Sequence, residues 1–261
     1  MRSLNIGATG MLAQQLNVEV ISNNIANLNT TAYQRRRAEF QDLLYQNQRR
    51  VGSSSSDSGT IVPTGVSVGL GVKTAAVYRI TEPGNLSLTE NTLDLAINGK
   101  GYFQVTKPNG DTAYTRAGSF QLDDSGNMVT ADGYALNPSI TIPSGAVDIS
   151  INANGEVLVA LDGQVEASNV GQIQLARFAN DVGLLAIGDN LHMETNASGS
   201  PTTSTPGSTG FGTTLQGYLE TSNVNVVEEI TNLITAQRAY EMNSKVIETS
   251  DQMMSTVTQI R

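Results

Sequence analysis

Two ladders of apolar residues, each climbing in steps of seven, stand at the two ends of this chain, and nothing like them lies between. The first runs Leu4, Met11, Val18, Ile25; the second runs Val226, Leu233, Tyr240, Ile247, Met254. Residues seven apart share one face of an α-helix, so each end offers one greasy stripe on a mostly polar rod. Packing supplies most helical stability in proteins, so each stripe needs another helix, either the opposite end of the chain or another copy of it. The spacing predicts a helix over residues 4–28, with Leu28 extending the stripe and Gly7 and Gly10 weakening its first turns. A second helix starts after Asn225, a good N-cap with Glu228 three residues on, and carries Ile230 beside its ladder. At about 36 residues it makes a rod of roughly 54 Å, a length suited to a coiled coil.

Between the ends the periodicity changes. A short helical run is expected at Ala38–Gln48, around Phe40, Leu43, Leu44 and Tyr45. Residues 51–59 are almost all Gly and Ser, which alone read as a flexible linker. From 66 to 219, short runs of Val, Ile, Thr and Tyr alternate with turn residues, the pattern of an antiparallel β domain. Asn98-Gly99, Asn109-Gly110, Asp132-Gly133, Asn154-Gly155 and Asp162-Gly163 mark hairpins, since such pairs accept positive φ. The expected fold class is therefore mixed and mainly β: an antiparallel β domain flanked by N- and C-terminal helices that pair as a coiled coil. The helical domain takes 1–45 and 220–261, and the β domain takes 66–219.

Composition removes most chemistry. The 261 residues include no Cys and a single His, with a net charge of -9. Without cysteine there are no disulfides, thiolate metal sites or cysteine nucleophiles. His192 reads as a surface or strand-edge residue. Asp123-Asp124-Ser125-Gly126-Asn127 lacks the ligand alternation and closing Glu of a calcium loop, so it reads as a turn. Gly99-Lys100-Gly101 lacks the rest of a phosphate loop. No catalytic, cofactor or metal site is expected; a secreted cell-wall hydrolase, the reading from another class, would need a carboxylate pair that nothing singles out. Residues 1–50 hold six arginines against three acids, a balance of +3, and the remainder carries -12. Basic-to-acidic contact between subunits accounts for that split better than nucleic acid, for which no groove-reading motif is present. No run approaches the ~20 apolar residues of a membrane span, and Met1–Ser3 leads into an amphipathic segment, not an apolar signal core. These signals alone read as cytoplasmic, unless export uses a route that reads no cleavable signal.

Several motifs carry a resemblance. Asn23-Asn24-Ile25-Ala26-Asn27-Leu28-Asn29-Thr30-Thr31 resembles the N-terminal signature of bacterial flagellar rod and hook proteins. Asn223-Val224-Asn225 with Gln237-Arg238-Ala239-Tyr240-Glu241 resembles their C-terminal signature, and Asp94–Phe103 and Tyr114–Phe120 resemble their β domain. The match spans essentially the whole chain in order; chain length and the insert before Pro63-Thr64-Gly65 are most similar to the distal-rod branch. The resemblance implies terminal helices that order on polymerisation, with Leu4, Met11, Val18, Ile25, Leu28, Val226, Ile230, Leu233, Tyr240, Ile247 and Met254 at the assembly interface. It also implies a periplasm-spanning rod without a cofactor. The implied partners are the chain itself, proximal rod proteins, the hook protein, the peptidoglycan and outer-membrane ring proteins, a rod cap/muramidase and the flagellar type III export apparatus. Residues 46–65 become an extended arm bracing neighbours instead of a linker. Ala32 stands where the family usually has Gly, which costs ~1 kcal/mol if that position needs positive φ.

Overall fold

The computed structural model describes residues 2–51, 64–163 and 167–259. The chain folds as two compact units: a helical unit of 1–26, 36–79 and 225–261, and a β unit of 27–35 and 80–224. Among the described residues there are two α-helices, one at each end, and every strand pairing is antiparallel. The class is mixed and mainly β.

In the helical unit, α1 spans Arg2–Ala26 and α2 spans Val226–Gln259. α1 ends two residues before the expected Leu28, because the Asn- and Thr-rich stretch turns on itself: Thr30 N–H and hydroxyl both donate to Asn27. The start of α2 follows the cap expected of it, with the Asn225 side-chain oxygen accepting the N–H of Val227 at 3.1 Å and of Glu228 at 3.4 Å.

The expected helix at 38–48 does not form. That stretch is β1 (Arg36–Asp42) and β2 (Tyr45–Arg49), which return as β3 (Val66–Gly69) and β4 (Val72–Arg79). β1 pairs with β4 and β2 with β3; Leu43 N–H to Gly71 and Leu70 N–H to Leu44 carry the ladder across the junction, making one long two-stranded ribbon. Two causes override the local helical spacing. Asn24, buried near the end of α1, grips the backbone of Arg36 from both sides, accepting its N–H and donating to its carbonyl at 2.8 Å each, and so starts an extended strand. The pairing partner also lies some 35 residues away, where no helical window reaches. Residues 66–79, expected in the β domain, thus fold with the helices. Of the expected arm, 52–63 lies outside the described residues, and its described flanks are the paired β2 and β3.

The β unit holds the closed core. Leu95, Ile97, Phe103, Phe120, Met128, Leu136, Val157 and Ile173 are fully buried, with Phe103 and Phe120 edge to face at 5.3 Å. A nine-stranded sheet runs through Tyr102–Thr106 and Thr112–Thr115, and a three-stranded sheet joins Ala146–Ile151, Glu156–Leu161 and Ser168–Gln172. Four of the five Gly turn pairs connect paired neighbouring strands. Asn98-Gly99 does not: the strand before it, Leu95–Asn98, pairs with Thr213–Gln216. The chain is diverted there because the Arg116 guanidinium gathers the carbonyls of Ile97, Gly99 and Gly101. The same guanidinium pairs with buried Glu220 at 2.8 Å. His192 sits half-buried in Leu191–Met193, paired on both sides, and so is an inner-strand residue.

The turn expected at 123–127 is built as an Asx loop. The Asp123 carboxylate accepts the N–H groups of Ser125 and Asn127 and the Asn127 amide, and these bonds, the side-chain one foremost, hold its pKa below the usual carboxylate value. Asn152 repeats the device, accepting the N–H groups of Asn154 and Glu156 and donating to the Glu156 carboxylate. In both loops the third residue on is a glycine at φ +81. Each of these polar side chains is spent on its own turn.

Candidate assembly surfaces

The first surface is the helix pair. α1 and α2 run antiparallel: a Cβ on Gly7 would lie 2.9 Å from Ile247 Cγ1, and one on Gly10 would lie 2.8 Å from Asn243 Nδ2. Gly7 and Gly10, which weaken the isolated helix, are thus positions where α2 leaves no room for a side chain. The most buried positions of α1 are Gly7, Ala13, Val20, Ile21 and Asn24, and those of α2 are Glu229, Ala236 and Ser250. Small residues let the backbones approach.

Of the expected ladders, Ile247 lies in this seam against Gly7. Leu4, Met11, Val18 and Ile25 are half-buried, about a quarter turn from the centre of the buried face of α1. Val226, Leu233 and Ile247 are half-buried on α2, whereas Ile230, Tyr240 and Met254 are exposed. Leu28 lies beyond α1, half-buried in the span of the β unit. Val18 and Tyr240 line an open groove of 530 Å³ with Gln15, Glu19, Gln237 and Glu241. Met254 is exposed because α1 is shorter than α2. With Gly7 against Ile247, α1 runs out opposite about residue 252, and residues 251–256 are all exposed.

Another apolar face of α2 was not marked by the ladders. Val227 (74% exposed), Ile230 and Ile234 follow one another at i, i+3, i+7, and Met242 (64%), Val246 and Met253 (61%) at i, i+4, i+11. The two groups are centred roughly 100° apart around the helix, with Arg238 and Lys245 between them, so they are two short patches and not one stripe.

The motif residues serve as structural joints. Asn23, Ala26, Gln237 and Arg238 are exposed, and Thr31 is half-buried. Asn24 starts β1, Asn27 closes the turn after α1, and Asn225 caps α2. Within the β unit, Asn223 ties three chain passages: its carbonyl accepts the N–H of Arg35 at 2.7 Å, while its amide donates to the carbonyls of Ile80 and Glu82. Ala32 beside it adopts φ +56, and its N–H donates to the Glu220 carbonyl. The need for positive φ suspected from the sequence is therefore real.

The second surface is the ribbon. Thr9 on α1 accepts the N–H of Val72 through its hydroxyl, so the near half of the ribbon lies along the helix. In the far half all five residues of β2 are exposed, and Leu44 (83%) and Val51 (73%) flank them. Tyr45 donates to Asp42, which raises the phenol pKa. Among the described residues no cluster of acidic or histidine side chains is arranged to hold a metal, and no helix is long and apolar enough to cross a membrane.

Comparison with known proteins finds relatives along the whole chain. Residues 4–34 match the family model described as flagella basal body rod protein, 96–159 match the flagellar hook protein FlgE/F/G D1 domain, and 215–260 match the flagellar basal body rod FlgEFG protein C-terminal. The flagellar basal-body rod protein FlgG of Caulobacter vibrioides is 62% identical over 261 residues, covering all of both chains. The FlgG proteins of Agrobacterium fabrum and of Buchnera aphidicola from Schizaphis graminum are 52% and 49% identical over 258 residues, covering 99% of this chain and 98–99% of theirs. The chain belongs to the FlgG family of flagellar basal-body rod proteins.

Proposed function

We propose that the chain is a structural subunit of the distal rod that polymerises into a stiff tubular shaft and carries motor torque to the hook. It has no enzymatic role of its own. The observation that carries this reading is the contrast on α2: one face is closed against α1, while Val227, Ile234, Met242 and Met253 stand in solvent on the other. Exposed apolar patches of this kind on a lone subunit mark an unformed contact. Neighbouring copies cover it, so that α1 and α2 enter a coiled coil that is complete only in the polymer. The ladder residues lie along that seam and take part in both contacts. The β unit has a core of its own.

Assembly then joins the chain to proximal rod proteins below and the hook protein above, inside the peptidoglycan and outer-membrane rings and under a rod cap/muramidase. The subunit reaches that site through the type III export apparatus. Replacing Leu233 and Ile247 by Asp tests the reading. The β unit keeps its near-native melting transition, and distal rods disappear from isolated basal bodies. Normal rods in that variant would refute it.

A proximal rod or hook subunit is the second reading, favoured because one matching model describes FlgE, F and G together. Deleting residues 50–64 separates the two. An arm that stiffens a distal rod leaves bent, overlong rods when lost, and a passive linker leaves them unchanged.

A further inference from the structure

We propose that Met242, Met253 and Met254 form an oxidation-sensitive site on α2: conversion to the sulfoxides by a hydroperoxide keeps an unassembled copy out of the polymer until they are reduced. The proposal rests on the polymer reading and adds a control on the faces that neighbours cover.

All the sulfur in this chain is thioether. There are seven methionines and no cysteine, so no thiol of its own takes up an oxidant first. The methionines are not equivalent. Met128 is fully buried in the β unit, and Met11 and Met193 are half-buried. Among the described residues the exposed ones are Met242, Met253 and Met254, all on α2.

Their placement decides what oxidation does. Met242 and Met253, three turns apart, point in directions about 20° from each other, in the patch that holds Val246. Met254 lies about 100° further round, on the ladder. Met253 and Met254 both stand on the end of α2 that α1 does not reach. Met242 shares an open groove of 460 Å³ with Glu241, Lys245, Val246 and Thr249. The Thr249 hydroxyl already donates to the Lys245 carbonyl, so the Lys245 ammonium, three residues on from Met242, is the donor that a sulfoxide oxygen would meet there.

The step balances without a cofactor. The thioether sulfur attacks one oxygen of hydrogen peroxide and the O–O bond breaks. That oxygen stays on sulfur as the sulfoxide, and the other leaves as water after proton transfer; sulfur gives up two electrons and the peroxide takes them. The product is polar and carries a strong acceptor. Burying it without a donor is costly, so a contact that fits a thioether rejects a sulfoxide. Two sulfoxide reductases, one for each epimer, restore the thioether with electrons from a thiol pair.

To test this, purified full-length chain is treated with graded hydrogen peroxide, mapped by peptide mass spectrometry and sedimented across a concentration series. Sulfoxide is expected at Met242, Met253 and Met254 at doses that leave Met128 unmodified. The concentration needed for assembly should rise at least about tenfold, and return when the two reductases and dithiothreitol are added. A chain carrying Met242→Leu, Met253→Leu and Met254→Leu, measured against its own untreated level, should not respond to the same dose. Three results overturn the proposal: oxidation that reaches Met128 first, assembly unchanged once the three sites are oxidised, or a leucine variant that still loses assembly. Should the leucine variant not assemble at all, the reductases decide on the native chain, and assembly that stays lost after the three sites are reduced overturns the proposal as well. An untreated native chain that never sediments speaks against the polymer reading, while the order of oxidation still decides this site.

Discussion

The two units of this chain solve the burial problem in opposite ways. The β unit closes on itself: thirteen apolar side chains form one buried cluster, and its buried acid Glu220 has a buried cation to meet it. The helical unit stays open, with small residues at its internal seam, apolar residues on its outer face and a ribbon that packs only along its near half. A unit with a finished interior folds alone. A unit that leaves large apolar side chains in water is, on the polymer reading, finished by its neighbours.

The strongest way to break this contrast is at Arg116. Its guanidinium serves Glu220 and three carbonyls, so Arg116→Met leaves a carboxylate buried without its charge partner. The expected cost to the β unit is ~3–5 kcal/mol in chemical denaturation, and adding Glu220→Gln recovers part of it. A loss below about 1 kcal/mol would show that the β unit does not depend on its own interior in the way argued.

A smaller effect separates the units more sharply. Met242→Ser with Met253→Ser touches only exposed side chains, so the stability of the isolated chain stays within ~0.5 kcal/mol. If neighbouring copies bury each methionine, at ~1.5–3 kcal/mol apiece, the concentration needed for assembly rises by at least tenfold. Sedimentation of purified chain across a concentration series reads this directly. Unchanged assembly would mean that this patch of α2 faces water in the rod as well.

What the sequence made legible follows from the same contrast. Both helices, the Asn225 cap and most hairpin turns are local events, and their residues announce them. The small residues of the helix seam, Gly7, Gly10, Ala13, Ala236 and Ser250, are not legible beside the ladder, because their value lies in their size and not in their hydrophobicity. β1 and β2 were misread because their partner strands and the Asn24 grip depend on distant positions. Asn24 and Asn223 stood out in a motif, yet their task, holding backbone groups of remote segments, has no local signature.

Ala32 gives the smallest and most exacting test of how settled the β unit is. At φ +56 an alanine carries left-handed strain of about 1–2 kcal/mol. Replacement by glycine removes that strain, gives up one buried methyl and loosens the unfolded chain. The balance favours glycine by a fraction of a kcal/mol up to ~1 kcal/mol, which for a unit of this size raises the melting temperature by about 2–4 °C at most. The helical unit has no part in that gain, so assembly at a temperature well below melting should not change. A fall in melting temperature would show that the methyl, buried where Ala32 N–H meets Glu220, contributes more than the strain costs. In that case alanine is a fitted part of the junction, packed by its methyl group.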